Sequence, residues 1–146
     1  MSKDWRLFLS IVLLFVIVGS ITGCAVIAPL PPPLPKECEK ENLPEGVIYW
    51  DEAKYHIGEE CTVCGHVVEA QYVTYMRGTP TFLNIGKPVS CPDSFRVVIR
   101  DECRPNFPEA PERCYFDRCI YVTGLIVADE GVPQIEICDP SQIKCH

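Results

Sequence analysis

Basic residues are in short supply: 13 lysines and arginines stand against 20 aspartates and glutamates, for a formal net charge of -7 and a pI near 4.9. That balance excludes a domain that coats nucleic acid by bulk charge, because such domains run strongly basic. Histidine is scarcer, with only His56, His66 and His146. There is no HExxH pair, no glycine-rich phosphate loop and no serine or cysteine in a nucleophile elbow. Acidic neighbours such as Glu59-Glu60 and Asp101-Glu102 read as solvated surface, since carboxylate catalysis needs a cleft that a chain of 146 residues hardly provides. The pattern predicts a protein that is not an enzyme and carries no cofactor. The length allows one globular domain, and internal repeats are lacking.

Charge is absent altogether from Leu7 to Leu34. The run follows Lys3 and Arg6, and Leu7 to Ile21 is almost wholly Leu, Ile, Val and Phe, the pattern of an export signal. It ends in Ile21-Thr22-Gly23-Cys24, which resembles the lipobox of secreted lipoproteins. The resemblance implies that Cys24 is diacylated and becomes the first mature residue. The alternative is an uncleaved anchor, because Leu7 to Ala28 is 22 residues and spans ~30 Å of hydrocarbon at 1.5 Å per residue. Both readings tether the domain to the cell membrane, outside the cytoplasm. Residues 1–24 are therefore read as the leader or anchor, 25–43 as a linker and 44–146 as the folded domain. In the linker, Pro29 to Pro35 predicts a semi-rigid polyproline II spacer.

The rest of the chain predicts an all-β fold. Trp50, Ala53 and Ile57, with Asp51 and Glu52 in the first turn and Gly58 beyond the end, read as a short amphipathic N-terminal helix. Alternating stretches over 60–70, 81–85, 95–100, 119–128 and 133–138 read as five strands, with a bend or bulge at Gly65. A polar, proline-rich connection over 101–117 separates the third from the fourth. Five strands with a long third connection match the OB-fold, a partly open Greek-key barrel. An SH3-like barrel and a small sandwich are the alternatives.

Ten cysteines behind an export signal point to disulfides. With Cys24 lipidated, nine remain: Cys38, Cys61, Cys64, Cys91, Cys103, Cys114, Cys119, Cys138 and Cys145. Nine is odd, so at most four bonds form within one chain. Cys61 and Cys64 lie three apart on a strand and point to opposite faces, so they do not bond each other. In an OB barrel the first strand pairs with the fourth, which makes Cys64–Cys119 a cross-strand candidate. Cys103–Cys114 would staple the 101–117 connection. The zinc alternative, Cys61-x2-Cys64 with Cys114-x4-Cys119 and His66 nearby, places its CxxC inside a strand rather than on a tight turn; the sequence predicts no metal.

Ordered blocks of the chain carry a family resemblance: Trp50-Asp51-Glu52-Ala53 and Ile57-Gly58-Glu59, Val63-Cys64-Gly65-His66-Val67-Val68, Pro80 to Pro88, Phe95-Arg96-Val97-Val98-Ile99, Val122-Thr123-Gly124, Gly131 to Ile137 and Asp139 to Ile143. Together they resemble a small family of nucleic-acid-binding OB-fold domains found alone or beside staphylococcal-nuclease-like endonucleases. OB-folds present their second and third strands as a ligand face. Here that region holds Tyr72, Tyr75, Arg77, Phe82, Arg96 and Arg100, aromatics and arginines suited to base stacking and phosphate contact. Single-stranded nucleic acid or an oligosaccharide is the expected partner. An envelope structural or protein-interaction role is the alternative.

Overall fold

The computed structural model describes residues 38–145. The leader, Cys24, the proline run and His146 lie outside the described residues. Among the described residues no helix is long and apolar enough to cross a membrane.

Seven strands follow in chain order: β1 Val47–Tyr49, β2 Glu60–Tyr72, β3 Thr81–Ile85, β4 Phe95–Ile99, β5 Cys119–Asp129, β6 Val132–Glu136 and β7 Ile143–Cys145. Each neighbour pair is hydrogen-bonded in the order β1-β2-β3-β4-β6-β5-β7, and β2 also pairs with β5. That extra pairing closes β2, β3, β4, β6 and β5 into a five-stranded barrel, with β4 parallel to β6 and the other barrel pairs antiparallel. The fold is an OB-like barrel. The expected five strands are all present, and the first does pair with the fourth.

Strand β2 belongs to both halves of the barrel. Residues 60–66 pair with β5, and 67–72 pair with β3. The register shifts between Val67 and Glu69, so the bulge falls at Val68 and not at the expected Gly65. Gly65 has a different duty: a Cβ there would overlap Ile85 Cγ2 and crowd the Trp50 side chain. Gly86, at φ +73°, lies under the Trp50 ring in the same way. Trp50 therefore plugs one end of the barrel over two glycines.

The expected helix at this end is a 3-10 helix, Trp50–Tyr55. With three residues per turn, Trp50 and Ala53 stack on the core side, while Ile57 lies beyond the helix and is exposed. Inside the barrel, alternation holds along each strand. Val63 and Val67, Leu83 and Ile85, Phe95, Val97 and Ile99, Ile120, Val122 and Ile126, and Ile135 form one core. Pro133 sits where β6 pairs only with β5, before pairing to β4 begins at Gln134, so its missing N–H breaks no ladder bond to β4.

The 101–117 connection folds as a 3-10 turn, Asp101–Asn106, and one helical turn, α1, Pro111–Cys114. It is pinned by a Cys103–Cys138 disulfide. The expected Cys103–Cys114 staple is thus corrected: the buried Cys103 turns toward the end of β6, where Asn106 Nδ2 also donates to the Cys138 carbonyl at 2.8 Å. Cys114 instead packs against the core alongside Cys145. The linker docks earlier than its assigned boundary at 43: Cys38 is buried, and Lys40 reaches Asp51 and Glu52 at 3.0 and 3.1 Å.

Candidate functional site

The alternation that buries Phe95, Val97 and Ile99 inside the barrel puts Arg96 and Val98 on its outer side, where Val98 is still covered and only 3% exposed, and Arg100 follows directly. Phe82 and Asn84 on β3 and Gln134 and Glu136 on β6 share that outer face, in register as Phe82↔Val98, Asn84↔Arg96↔Gln134 and Val98↔Glu136. The Arg96 guanidinium lies over the Phe82 ring, 4.8 Å from its centroid. Beside them a hollow of about 100 Å³ is lined by Arg77, Phe82, Val98, Arg100, Asp129 and Gln134, among others. The structure therefore gathers four of the six predicted ligand residues, Arg77, Phe82, Arg96 and Arg100, on one face.

Their charges are partly spent. Arg100 donates Nε and Nη2 to the two Glu136 oxygens at 2.8 and 2.9 Å, a bidentate pair that strengthens its hold on its proton. Asp129 lines the same hollow. The middle row is different. Asn84 Oδ1, Arg96 Nε and Gln134 Oε1 are buried yet have no hydrogen-bond partner among the described residues. A buried polar atom left unpaired costs ~1–3 kcal/mol, so this row is a local cost to the fold, carried by atoms with almost no contact with solvent. The other end of the Asn84 amide is fixed, donating to Glu69 Oε2 at 2.9 Å; the same oxygen accepts the Val89 N–H at 2.8 Å.

The two tyrosines lie elsewhere. Tyr72, at the end of β2, carries the Arg104 guanidinium 3.9 Å from its ring centroid and donates its hydroxyl to Asp101 at 2.7 Å. Arg104 also donates to Thr81 Oγ1 and pairs with Glu112 at 2.8 Å, so Tyr72 holds the 101–117 connection against the barrel. Tyr75 stands in the following loop, 88% exposed and unengaged by the face. Sequence reading missed Asn84 and Gln134; polar residues at alternating positions look like ordinary sheet surface.

Two other groupings stand out. On the β2–β5–β7 side, a hollow of about 400 Å³ is lined by Thr62, Tyr121, Thr123, Ser141, Gln142 and Lys144, with the two threonine hydroxyls 2.8 Å apart. Near the start of β2, His56 Nδ1 is 2.8 Å from Glu59 Oε2, and with Cys61 these ligand atoms all lie within 4.8 Å of one another. The Cys61/Cys64/Cys114/Cys119 spacing does not converge. Cys61 packs on the barrel core and Cys64 on a separate cluster with Cys38 and Cys119, as opposite faces require. His66 pairs with Asp117 at 3.2 Å.

No family model matches the chain, and no curated protein matches it. Among solved structures it is similar to a putative aspartyl-tRNA synthetase from Leishmania major Friedlin, at 8% identity and a TM-score of 0.44, over 73% of this chain and 22% of that one. It is similar at 16% identity and a TM-score of 0.44 to the OBody AM1L10 bound to hen egg-white lysozyme, over 72% of this chain and 97% of that one. A third similarity is to the aspartyl tRNA synthetase from Entamoeba histolytica, at 12% identity and a TM-score of 0.40, over 62% of this chain and 19% of that one. The chain thus spans about a fifth of the length of the two synthetases.

Proposed function

We propose that this chain is a non-catalytic, membrane-tethered module outside the cytoplasm that binds single-stranded nucleic acid weakly on the outer face of β3, β4 and β6. The observation that carries the reading is Arg96 lying over Phe82 at 4.8 Å, on the strands an OB-fold uses for ligands. A ring with a cation beside it stacks a base of any identity, at ~1–3 kcal/mol per base. Arg77 and Arg100 supply phosphate contacts, Arg100 by exchanging Glu136 for phosphate. The tether rests on the uncharged leader and Ile21-Thr22-Gly23-Cys24.

Loss of the leader removes Lys3, Arg6 and Asp4 and leaves the mature chain at a net charge of -8. Long-range repulsion therefore opposes encounter, and it is strongest at low salt. Titration of labelled single-stranded oligonucleotides, with a duplex as control, tests the reading. A second reading, an interaction module for glycan or protein in the cell envelope, is favoured by the hydroxyl- and amide-lined hollow of about 400 Å³. Saturable single-strand binding supports the first reading, and a flat titration supports the second.

A further inference from the structure

Three thiols meet where the linker joins the barrel. Cys38 comes from the linker, Cys64 from the middle of β2 and Cys119 from the start of β5, and all three are buried in a cluster of their own with Leu43, Val47 and Tyr121. Across the β2–β5 ladder Cys64 faces Tyr121 and Cys119 faces His66, so the two strand cysteines lie on a diagonal. The expected Cys64–Cys119 bond is not what this register sets up. Cys38 inserts beside both: its Sγ is 3.2 Å from Cys64 Sγ, and its thiol also hydrogen-bonds Cys119.

We propose that Cys38 and Cys64 are a disulfide-forming site that staples the linker to β2, with Cys119 as the alternative partner to which the bond passes when Cys64 is removed. The sulfurs need approach by only about 1 Å to reach the ~2.05 Å of a disulfide. They are closer than two thiolates sharing a zinc ion, which at ~2.3 Å Zn–S bonds sit ~3.8 Å apart.

The chemistry runs in two exchanges. A disulfide-bearing oxidant, R–S–S–R, accepts the Cys38 thiolate, giving Cys38–S–S–R and releasing one RSH. The Cys64 thiolate then attacks the Cys38 sulfur, forming the Cys38–Cys64 bond and releasing the second RSH. The two protein thiols lose two electrons and two protons, and the oxidant is reduced to two thiols. Cys64 is placed for the attacking role by its position beside the Cys38 sulfur; before the first exchange, hydrogen bonds from the Cys38 thiol and the Tyr121 hydroxyl also lower its pKa against the opposing effect of burial. In the mixed disulfide the Cys38 donor is gone, so the attack rests on the closeness of the two sulfurs. Cys64 is fully buried and Cys38 only 8% exposed, so the first exchange occurs before the linker docks and the second as it docks.

Docking otherwise rests on the small apolar cluster around Cys38 and Leu43 and on surface charge pairs. Lys40 pairs with Asp51 and Glu52 at the surface, where ion pairs contribute weakly. A Cys38–Cys64 bond makes the attachment covalent. Full-length protein produced in an oxidising compartment, alkylated without reduction, digested and mapped by mass spectrometry tests this. The Cys38 and Cys64 peptides should be recovered joined, two hydrogens lighter than the sum of their thiol forms. Cys119→Ser should leave that bond in full yield, and Cys64→Ser should move it to Cys119. Alkylated Cys38 in the wild-type chain, a wild-type Cys38–Cys119 bond, or metal bound to the three sulfurs in native mass spectra would each overturn the proposal. The wild-type map decides even if a variant fails to fold.

Discussion

Arg96 and Phe82 sit diagonally across β4 and β3, with the guanidinium over the ring at 4.8 Å and the buried Nε lacking a hydrogen-bond partner among the described residues. An arginine used only to solubilise a sheet surface would extend into water. This one is laid flat against a ring and keeps an unused donor in the middle of a row flanked by Asn84 and Gln134. The arrangement is a cation–π contact placed on rigid strands rather than on a loop.

Gly86→Ala should destabilise the barrel severely, by about 3 kcal/mol or more. The added Cβ would overlap the Trp50 ring, and the φ of +73° is strained for any side chain. Thermal unfolding by circular dichroism checks this. A melting temperature within a few degrees of wild type would mean that Trp50 moves aside freely.

Acid should weaken the 101–117 connection through Glu112. Arg104, at 2.8 and 3.3 Å, holds this carboxyl below its ordinary value of 4.5. A depressed native pKa contributes stability that is complete above about pH 4.5 and is lost as pH falls through the native value. Glu112→Gln should therefore lower the melting temperature near neutrality by roughly 2–5 °C and flatten its fall below pH 4.5. Identical acid limbs for variant and wild type would contradict the coupling.

Reduction should lower the melting temperature by on the order of 10–20 °C, whereas a chelator should leave it unchanged. The Cys103–Cys138 bond spans 35 residues of sequence, and cross-linking a loop of that size stabilises by ~3–4 kcal/mol. Stoichiometric zinc in protein purified without added metal would run against this expectation.

The barrel was legible because its strands alternate with period two around apolar positions, and because Trp50, Gly65 and Gly86, prominent in the family-like blocks, are tied together by packing. β1 and β7 were not, since three-residue strands such as Val47–Tyr49 carry no period to detect. The outward position of Arg96 was legible from its alternation with Phe95, Val97 and Ile99. The engagement of Tyr72 with Asp101 and Arg104 was not legible, because those partners lie about thirty residues away and meet it only once the connection folds. Cysteine pairing was opaque for the same reason: which sulfur meets Cys103 depends on the path of 101–117, on which spacing is silent.

The membrane tether predicts that Cys24→Ser abolishes lipid labelling and shifts the protein's partitioning between membrane and soluble fractions. The motive is Ile21-Thr22-Gly23-Cys24 after an uncharged apolar run. Intact-mass analysis showing Met1 retained and no acyl group would favour the uncleaved anchor.

The most direct measurement is a titration of labelled single-stranded oligonucleotides with wild-type protein, Phe82→Ala and the Arg96→Glu/Arg100→Glu double variant. Wild type should bind weakly and saturably, without the gain in affinity at low salt that a basic binder shows. Phe82→Ala should bind about ten- to a hundredfold more weakly, the loss expected from one stacked base. The double variant should not bind, yet should keep the wild-type far-ultraviolet spectrum because neither arginine belongs to the core. A wild-type titration that stays flat to high micromolar concentration, or binding that survives both sets of substitutions, would contradict the account.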